Sequence, residues 1–173
     1  MTGNEDWPTT AALDSERLRL EPLTVEHSDE MVPVLDDPDL HAFIGGRPAT
    51  REELRARYEQ LVVGQSRDGS ERWLNWVIRR RDDGQAVGAV QATVTEQDRG
   101  LAAEIAWVIG TGQQRQGFAR EAAHAMVAWL REQGVTTVVA HVHPHHEASK
   151  AVARALGLEP TDALVDGEVR WEG

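Results

Sequence analysis

Apolar positions along the chain switch between a period of two and a period near 3.6, and the switches divide it into strands and helices. Arg17-Leu18-Arg19-Leu20-Glu21 alternates and reads as a strand closed by Pro22. A helix is expected from Val25 to about Leu35 with Thr24 as its cap, against the grain of the interior Pro33. Thr50-Arg51-Glu52-Glu53 is a capping box, and Leu54, Tyr58, Leu61 and Val62 then share one helical face. Trp73 to Arg80, Ala86 to Thr95 and Leu101 to Val108 are short and β-rich. The turns Arg81-Asp82-Asp83-Gly84 and Glu96-Gln97-Asp98-Arg99-Gly100 between them predict an antiparallel meander.

Phe118, Ala122, Ala125, Met126, Trp129 and Leu130 form one apolar helical stripe ended by Gly134, and Val135 to Val142 returns to strand character. A strand, helix and strand in that order predict a right-handed crossover with parallel pairing. A last helix runs from Glu147 to Leu156 and stops at Gly157, before a closing hairpin around Val165-Asp166-Gly167-Glu168-Val169. Residues 1–14 carry little periodic apolar content and are expected to form a flexible N-terminal arm. That leaves 15–173 as a single mixed α/β (α+β) domain, of a length that buries a substantial core.

Composition narrows the chemistry. The chain has no cysteine, which excludes disulfides, thiolate nucleophiles and Cys-based metal sites. Its acidic start is unlike a signal peptide, and no apolar run approaches the roughly 20 residues of a membrane span, so a cytoplasmic protein is expected. A formal net charge of −11 disfavours nucleic acid and anionic membranes as partners and favours a cationic one. His141-Val142-His143-Pro144-His145-His146 supplies two imidazoles on one strand face, short of a ligand set, so no metal is expected.

The most informative stretch is the apolar strand Ile105-Ala106-Trp107-Val108-Ile109 running into Gly110-Thr111-Gly112-Gln113-Gln114-Arg115-Gln116-Gly117 and then into a helix. Such a junction gathers unpaired N–H groups at the positive end of a helix dipole, where a phosphate or diphosphate can dock.

These residues resemble the GCN5-related N-acetyltransferases (GNAT), and within them the ribosomal-protein-alanine acetyltransferase-like branch. The likeness covers about Ser15 to Gly157. It rests on the opening Ser15-Glu16-Arg17-Leu18-Arg19-Leu20-Glu21-Pro22-Leu23, the strand Ala103-Glu104-Ile105-Ala106-Trp107, and the acetyl-CoA signature met by Gln114, Gly117 and Ala119. The late His143-Pro144-His145-His146-Glu147-Ala148-Ser149 before Ala155-Leu156-Gly157-Leu158 completes it.

The resemblance implies one mixed, twisted sheet flanked by about four helices and splayed between its fourth and fifth strands, those ending near Val108 and His143. Acetyl-CoA would lie in the gap, against Trp107, Val108, Ile109, Gln114, Arg115, Gln116, Gly117, Phe118, Ala119, Arg120, His146 and Ser149. Unpaired edges there can hydrogen-bond the amides of the pantetheine arm as another strand would. The acceptor would be a primary amine, attacking directly in a ternary complex, and the enzyme a monomer or homodimer.

Strand alternation sends Glu104, Ala106 and Val108 to one face, making Glu104 the first candidate base, with a pKa raised by apolar neighbours; His141 and His143 share a strand face and are alternatives. Ser149 matches a serine of the branch that can hydrogen-bond the sulfur, or it caps its helix. The branch's asparagine three residues earlier is His146 here. The single tyrosine, Tyr58, lies on the capped helix, so a tyrosine acid requires that helix to fold over the site. Net charge favours a small cationic acceptor, an aminoglycoside-like antibiotic or polyamine guided by Asp36, Asp37, Asp39, Glu104 and His141, with the 162–168 loop flanking the cleft. A protein N-terminus is the alternative, and a non-catalytic acetyl-CoA-binding domain a third reading.

Overall fold

Tight turns join the three meander strands, and the sheet follows chain order through its first six strands, with only the last two exchanged. The computed structural model describes residues 7–37 and 47–173. In chain order the elements are β1 (Leu13–Asp14), β2 (Leu18–Pro22), α1 (His27–Leu35), α2 (Arg51–Leu61), β3 (Glu71–Arg80), β4 (Ala86–Gln97), β5 (Gly100–Ile109), α3 (Phe118–Glu132), β6 (Val135–Val142), α4 (Glu147–Ala155), β7 (Glu159–Val165) and β8 (Glu168–Glu172). The strands form one open sheet ordered β1-β2-β3-β4-β5-β6-β8-β7. Every neighbouring pair is antiparallel except β5 with β6, where the crossover through α3 forces parallel pairing.

Alternation splits the core between the two faces. Trp76, Val90, Ile105, Phe118, Met126 and Leu130 pack on the side of α3 and α4, and the ring of Trp76 meets Trp129 edge-on at 5.6 Å. Met31, Leu54, Tyr58, Val77 and Ala86 pack beneath α1 and α2 on the other side. Beyond β4 that cover reaches the Ala106–Val108 end of β5, and Glu104, His141 and Arg170 share the rest of the face on β5, β6 and β8.

Residues 7–14 depart from the expected loose arm. Leu13–Asp14 pairs with β2, Trp7 packs on the core, and the buried Trp76 indole donates to the Ala11 carbonyl at 2.7 Å. A two-residue strand is too short to show a period, and what fixes it is a distant tryptophan that needs an acceptor. Thr24 is not the cap of α1 either. The helix starts at His27, whose Nδ1 accepts the Thr24 N–H at 2.9 Å while its Nε2 meets Glu21 at 3.1 Å.

Glu21 and Glu30 both reach Arg79, which thereby ties β2 and α1 to β3; Nη2 lies 3.0 Å from each carboxylate. The Arg79 hydrogen bond holds both carboxyl groups below the ordinary glutamate range. A carboxylate whose pKa is depressed on folding stabilises the fold above its unfolded value, and that stability is lost as pH falls through the folded one. Thermal melts taken between neutral and acid pH should therefore show a shallower acid decline for Arg79→Gln than for the parent protein, from a lower starting Tm.

Candidate active site

Pairing of β5 with β6 runs from Leu101 to Ile105 and then stops, while β5 continues along β4 to Ile109 and β6 along β8 to Val142. The Gly110 N–H donates to the Val87 carbonyl at 2.8 Å, and the antiparallel register behind it is unbroken. Val108 and Ala106 are therefore hydrogen-bonded partners of β4, and Ile105, Trp107 and Ile109 turn their N–H and C=O the other way. Ile105 meets β6, but Trp107 and Ile109 face the opening. Of these, the Ile109 carbonyl is taken by the Gln114 amide at 3.0 Å.

Beyond the strand the chain makes a short 3-10 turn at Thr111–Gln113, and α3 opens with no side-chain cap. Gly117 sits in the left-handed region at φ 81°, as does Arg115 at φ 66°. This brings consecutive N–H groups to the mouth of an uncapped helix, a geometry that suits an anion. A cavity of about 420 Å³ runs from the unpaired edge of β5 to this corner. Of the residues expected at the cofactor, Trp107, Val108, Ile109, Gln114, Arg115, Gly117, Phe118, Ala119, Arg120, His146 and Ser149 line it. Gln116 does not: its carbonyl accepts from Arg17 Nη1 at 2.8 Å, on the protein side of the loop. Burial, reinforced by neighbouring His143, lowers the His146 pKa from its ordinary value, leaving a neutral ring at pH 7.

Glu104 and His141 meet on their shared face, Oε1 to Nδ1 at 2.9 Å. The Glu104 side chain is 58% exposed, so it is not the carboxylate buried among apolar neighbours that alternation predicted. His141 Nε2 is buried with no partner among the described residues. His143 accepts the His145 N–H at Nδ1 at 3.1 Å and lines the same recess as Glu104, His141, His146, Ser149 and Glu168. Of the expected 162–168 loop only Glu168 borders this recess, and the segment is the tip of the β7–β8 hairpin rather than a loop.

A second chamber of about 340 Å³ opens on the α2 side of Trp107, walled by Leu23, Leu35, Leu54, Tyr58, Leu61 and Val108, with Arg57, Asn75 and Gln91 as its polar members. Helix α2 does fold over this face, and burial pushes the Tyr58 phenol up to about 12, so it stays a neutral donor. Asp36 and Asp37 are elsewhere, in a cavity beside Gly110–Gln113 with Glu30 and Gln85. Asp39 lies outside the described residues. Among the described residues no cluster of His, Asp and Glu is arranged to hold a metal.

Ser149 is the third residue of α4, whose N-cap is His146, so it does not cap the helix. Its Oγ instead accepts from the Trp107 indole at 3.2 Å. That contact fixes the ring at the opening. Ser149→Ala should lower turnover about tenfold while costing only about 1 kcal/mol in chemical denaturation, the value of one ordinary hydrogen bond.

The sequence matches the family model of the acetyltransferase (GNAT) domain over residues 17–159. No curated protein matches it in sequence. Among solved structures, the chain is similar to RimL, a ribosomal L7/L12 alpha-N-protein acetyltransferase in complex with coenzyme A, at 16% identity and a TM-score of 0.76, covering 94% of this chain and 97% of that one. A GNAT-family acetyltransferase from Bacillus anthracis aligns at 18% identity and a TM-score of 0.71, covering 94% and 95%. The microcin C7 self-immunity acetyltransferase MccE, in complex with acetyl-CoA and AMP, aligns at 13% and 0.72, covering 92% and 93%. At these identities the likeness is one of fold. An unpaired strand edge for amides, leading to an N–H-rich corner for a diphosphate, fits acetyl-CoA, and with the family match across most of its length this chain belongs to the GNAT acetyltransferase family.

Proposed function

We propose that the protein transfers the acetyl group of acetyl-CoA to a primary amine in a ternary complex, with Glu104 taking the proton of the amine. The observation that carries this reading is the position of Trp107, which borders the cofactor cavity, the Glu104–His141 recess and the apolar chamber together. Acetyl-CoA supplies an activated acetyl group and a thiol leaving group. The backbone N–H of Trp107 faces the opening and is the donor placed for the thioester carbonyl oxygen. Ser149 orients the indole beside it.

The chamber bears on the acceptor. Its wall holds no carboxylate among the described residues, and Asp36 and Asp37 line a different cavity. This supports an amine whose neighbouring group is apolar, as at the N-terminus of a protein with a small apolar first residue. The similarity to an alpha-N-protein acetyltransferase points the same way. A net charge of −11 favours the second reading, a polyamine or aminoglycoside-like acceptor held by Glu104.

Release of free coenzyme A thiol, measured over polyamines, aminoglycosides and peptides with varied first residues, separates the readings. Turnover confined to peptides supports the first and turnover confined to polycations the second. Coenzyme A binding without turnover on any of them replaces both with a non-catalytic acetyl-CoA-binding domain.

A further inference from the structure

We infer that Arg17, at the entry to β2, is the residue that aims the diphosphate-binding peptide, acting through the Gln116 carbonyl. This rests on the reading that the cofactor diphosphate docks at the Gly117 corner. The Arg17 guanidinium is held at three points. Its Nε donates to Glu121 Oε1 at 2.6 Å, its plane lies over the Phe118 ring at 4.7 Å, and its Nη1 donates to the Gln116 carbonyl at 2.8 Å. Glu121 is held in turn by the Arg17 N–H at 2.8 Å and the Ser15 hydroxyl at 2.5 Å.

The consequence follows from peptide planarity. In a trans peptide the N–H points opposite to the C=O, and none of the described peptides is cis. With the Gln116 oxygen drawn toward Arg17, the Gly117 N–H is directed away from β2, toward the cavity that Gly117 lines. Arg17 Nη2 also packs against Gly117, 3.3 Å from where a Cβ would stand. The same guanidinium offsets the Glu121 carboxylate, which stands in the first turn of α3 and would repel a diphosphate if left unpaired.

Arg17 is thus a positioning residue, and its effect is confined to ligands that carry the diphosphate. The test compares coenzyme A, titrated calorimetrically, with pantetheine, measured by its displacement of an acetyl-CoA analogue. Arg17→Ala is expected to weaken coenzyme A about ten- to a hundredfold, the size of a lost charge-assisted hydrogen bond, and to leave pantetheine within about twofold. Arg17→Lys keeps the charge without the fork and is expected to fall with Arg17→Ala.

Equal losses for both ligands, or wild-type coenzyme A affinity in Arg17→Lys, overturn the proposal: the first makes Arg17 a general fold residue, the second a mere charge. If the parent protein itself gains nothing from the diphosphate, the Gly117 corner is not the docking point and the underlying reading fails instead. Should Arg17→Ala not fold, Arg17→Lys and Glu121→Gln carry the same comparison, with Glu121→Gln expected between parent and Arg17→Lys.

Discussion

Gly88→Ala is expected to cost the protein about 2–4 kcal/mol of stability and most of its coenzyme A affinity. A Cβ at this position would stand 2.1 Å from the Val108 carbonyl oxygen and 3.0 Å from the Ile109 Cα. Both are backbone atoms of β5, so no side chain can swing aside. The sheet must open between β4 and β5 at the residues that border the unpaired edge, where Gly88 stands opposite Ile109. Stability and binding therefore fall together.

For a chain of this size the loss corresponds to a Tm lower by roughly 5–15 °C. Gly84→Ala is the comparison: its φ of +74° strains a side chain, but nothing lies within 4 Å of the added methyl. It should cost only about 1 kcal/mol and leave coenzyme A binding intact. A Gly88→Ala protein that melts and binds like the Gly84→Ala protein would show that β4 and β5 yield at this point.

The fold and the cofactor cavity were legible because both are written in local pattern. Alternation through Trp73, Ala86 and Leu101 marks the meander, and the stripe from Phe118 to Leu130 marks the crossover helix that makes β5 and β6 parallel. A strand, glycine and amphipathic helix in sequence place Gly117 at a helix mouth with no tertiary information. Illegible was whatever depends on residues far apart meeting. Arg17 reads only as the start of an alternating first strand, and it is the packing of β2 beneath α3 that brings it to Gln116 and Glu121. Tyr58 reads as the core face of an amphipathic helix, which it is, but the same face also walls the chamber beside Trp107.

Alternation puts Glu104 on a face of β5 but says nothing of its surroundings, because which part of a sheet face a helix covers is decided by where α1 and α2 dock. Asp36 and Asp37 drew notice as charges, and charge alone does not say which cavity a side chain borders.

Glu104→Gln is expected to lower kcat about a hundred- to a thousandfold with little change in the KM for acetyl-CoA. A lysine-like amine has a reference pKa of about 10.4 and an α-amine about 7.7–8.0, so near pH 7 the acceptor arrives mostly as a cation and must lose a proton before it can attack. Glu104 lines, together with Glu168, the recess that reaches Trp107, and it does not line the cofactor cavity. His141 Nδ1 lies 2.9 Å from Glu104 Oε1, a hydrogen bond that engages one carboxylate oxygen. The imidazole thereby fixes one Glu104 oxygen, and the other remains available to the amine.

Glutamine keeps the shape and the His141 contact but cannot take the proton, so the part of the rate–pH profile that follows carboxylate ionisation disappears while the part that follows the amine stays. If Glu104 only attracted the cation, the substitution would raise the KM for the amine and leave kcat unchanged. Single-turnover rates measured across pH, with the amine saturating, distinguish the two, and an unchanged rate and profile would remove Glu104 from the chemistry.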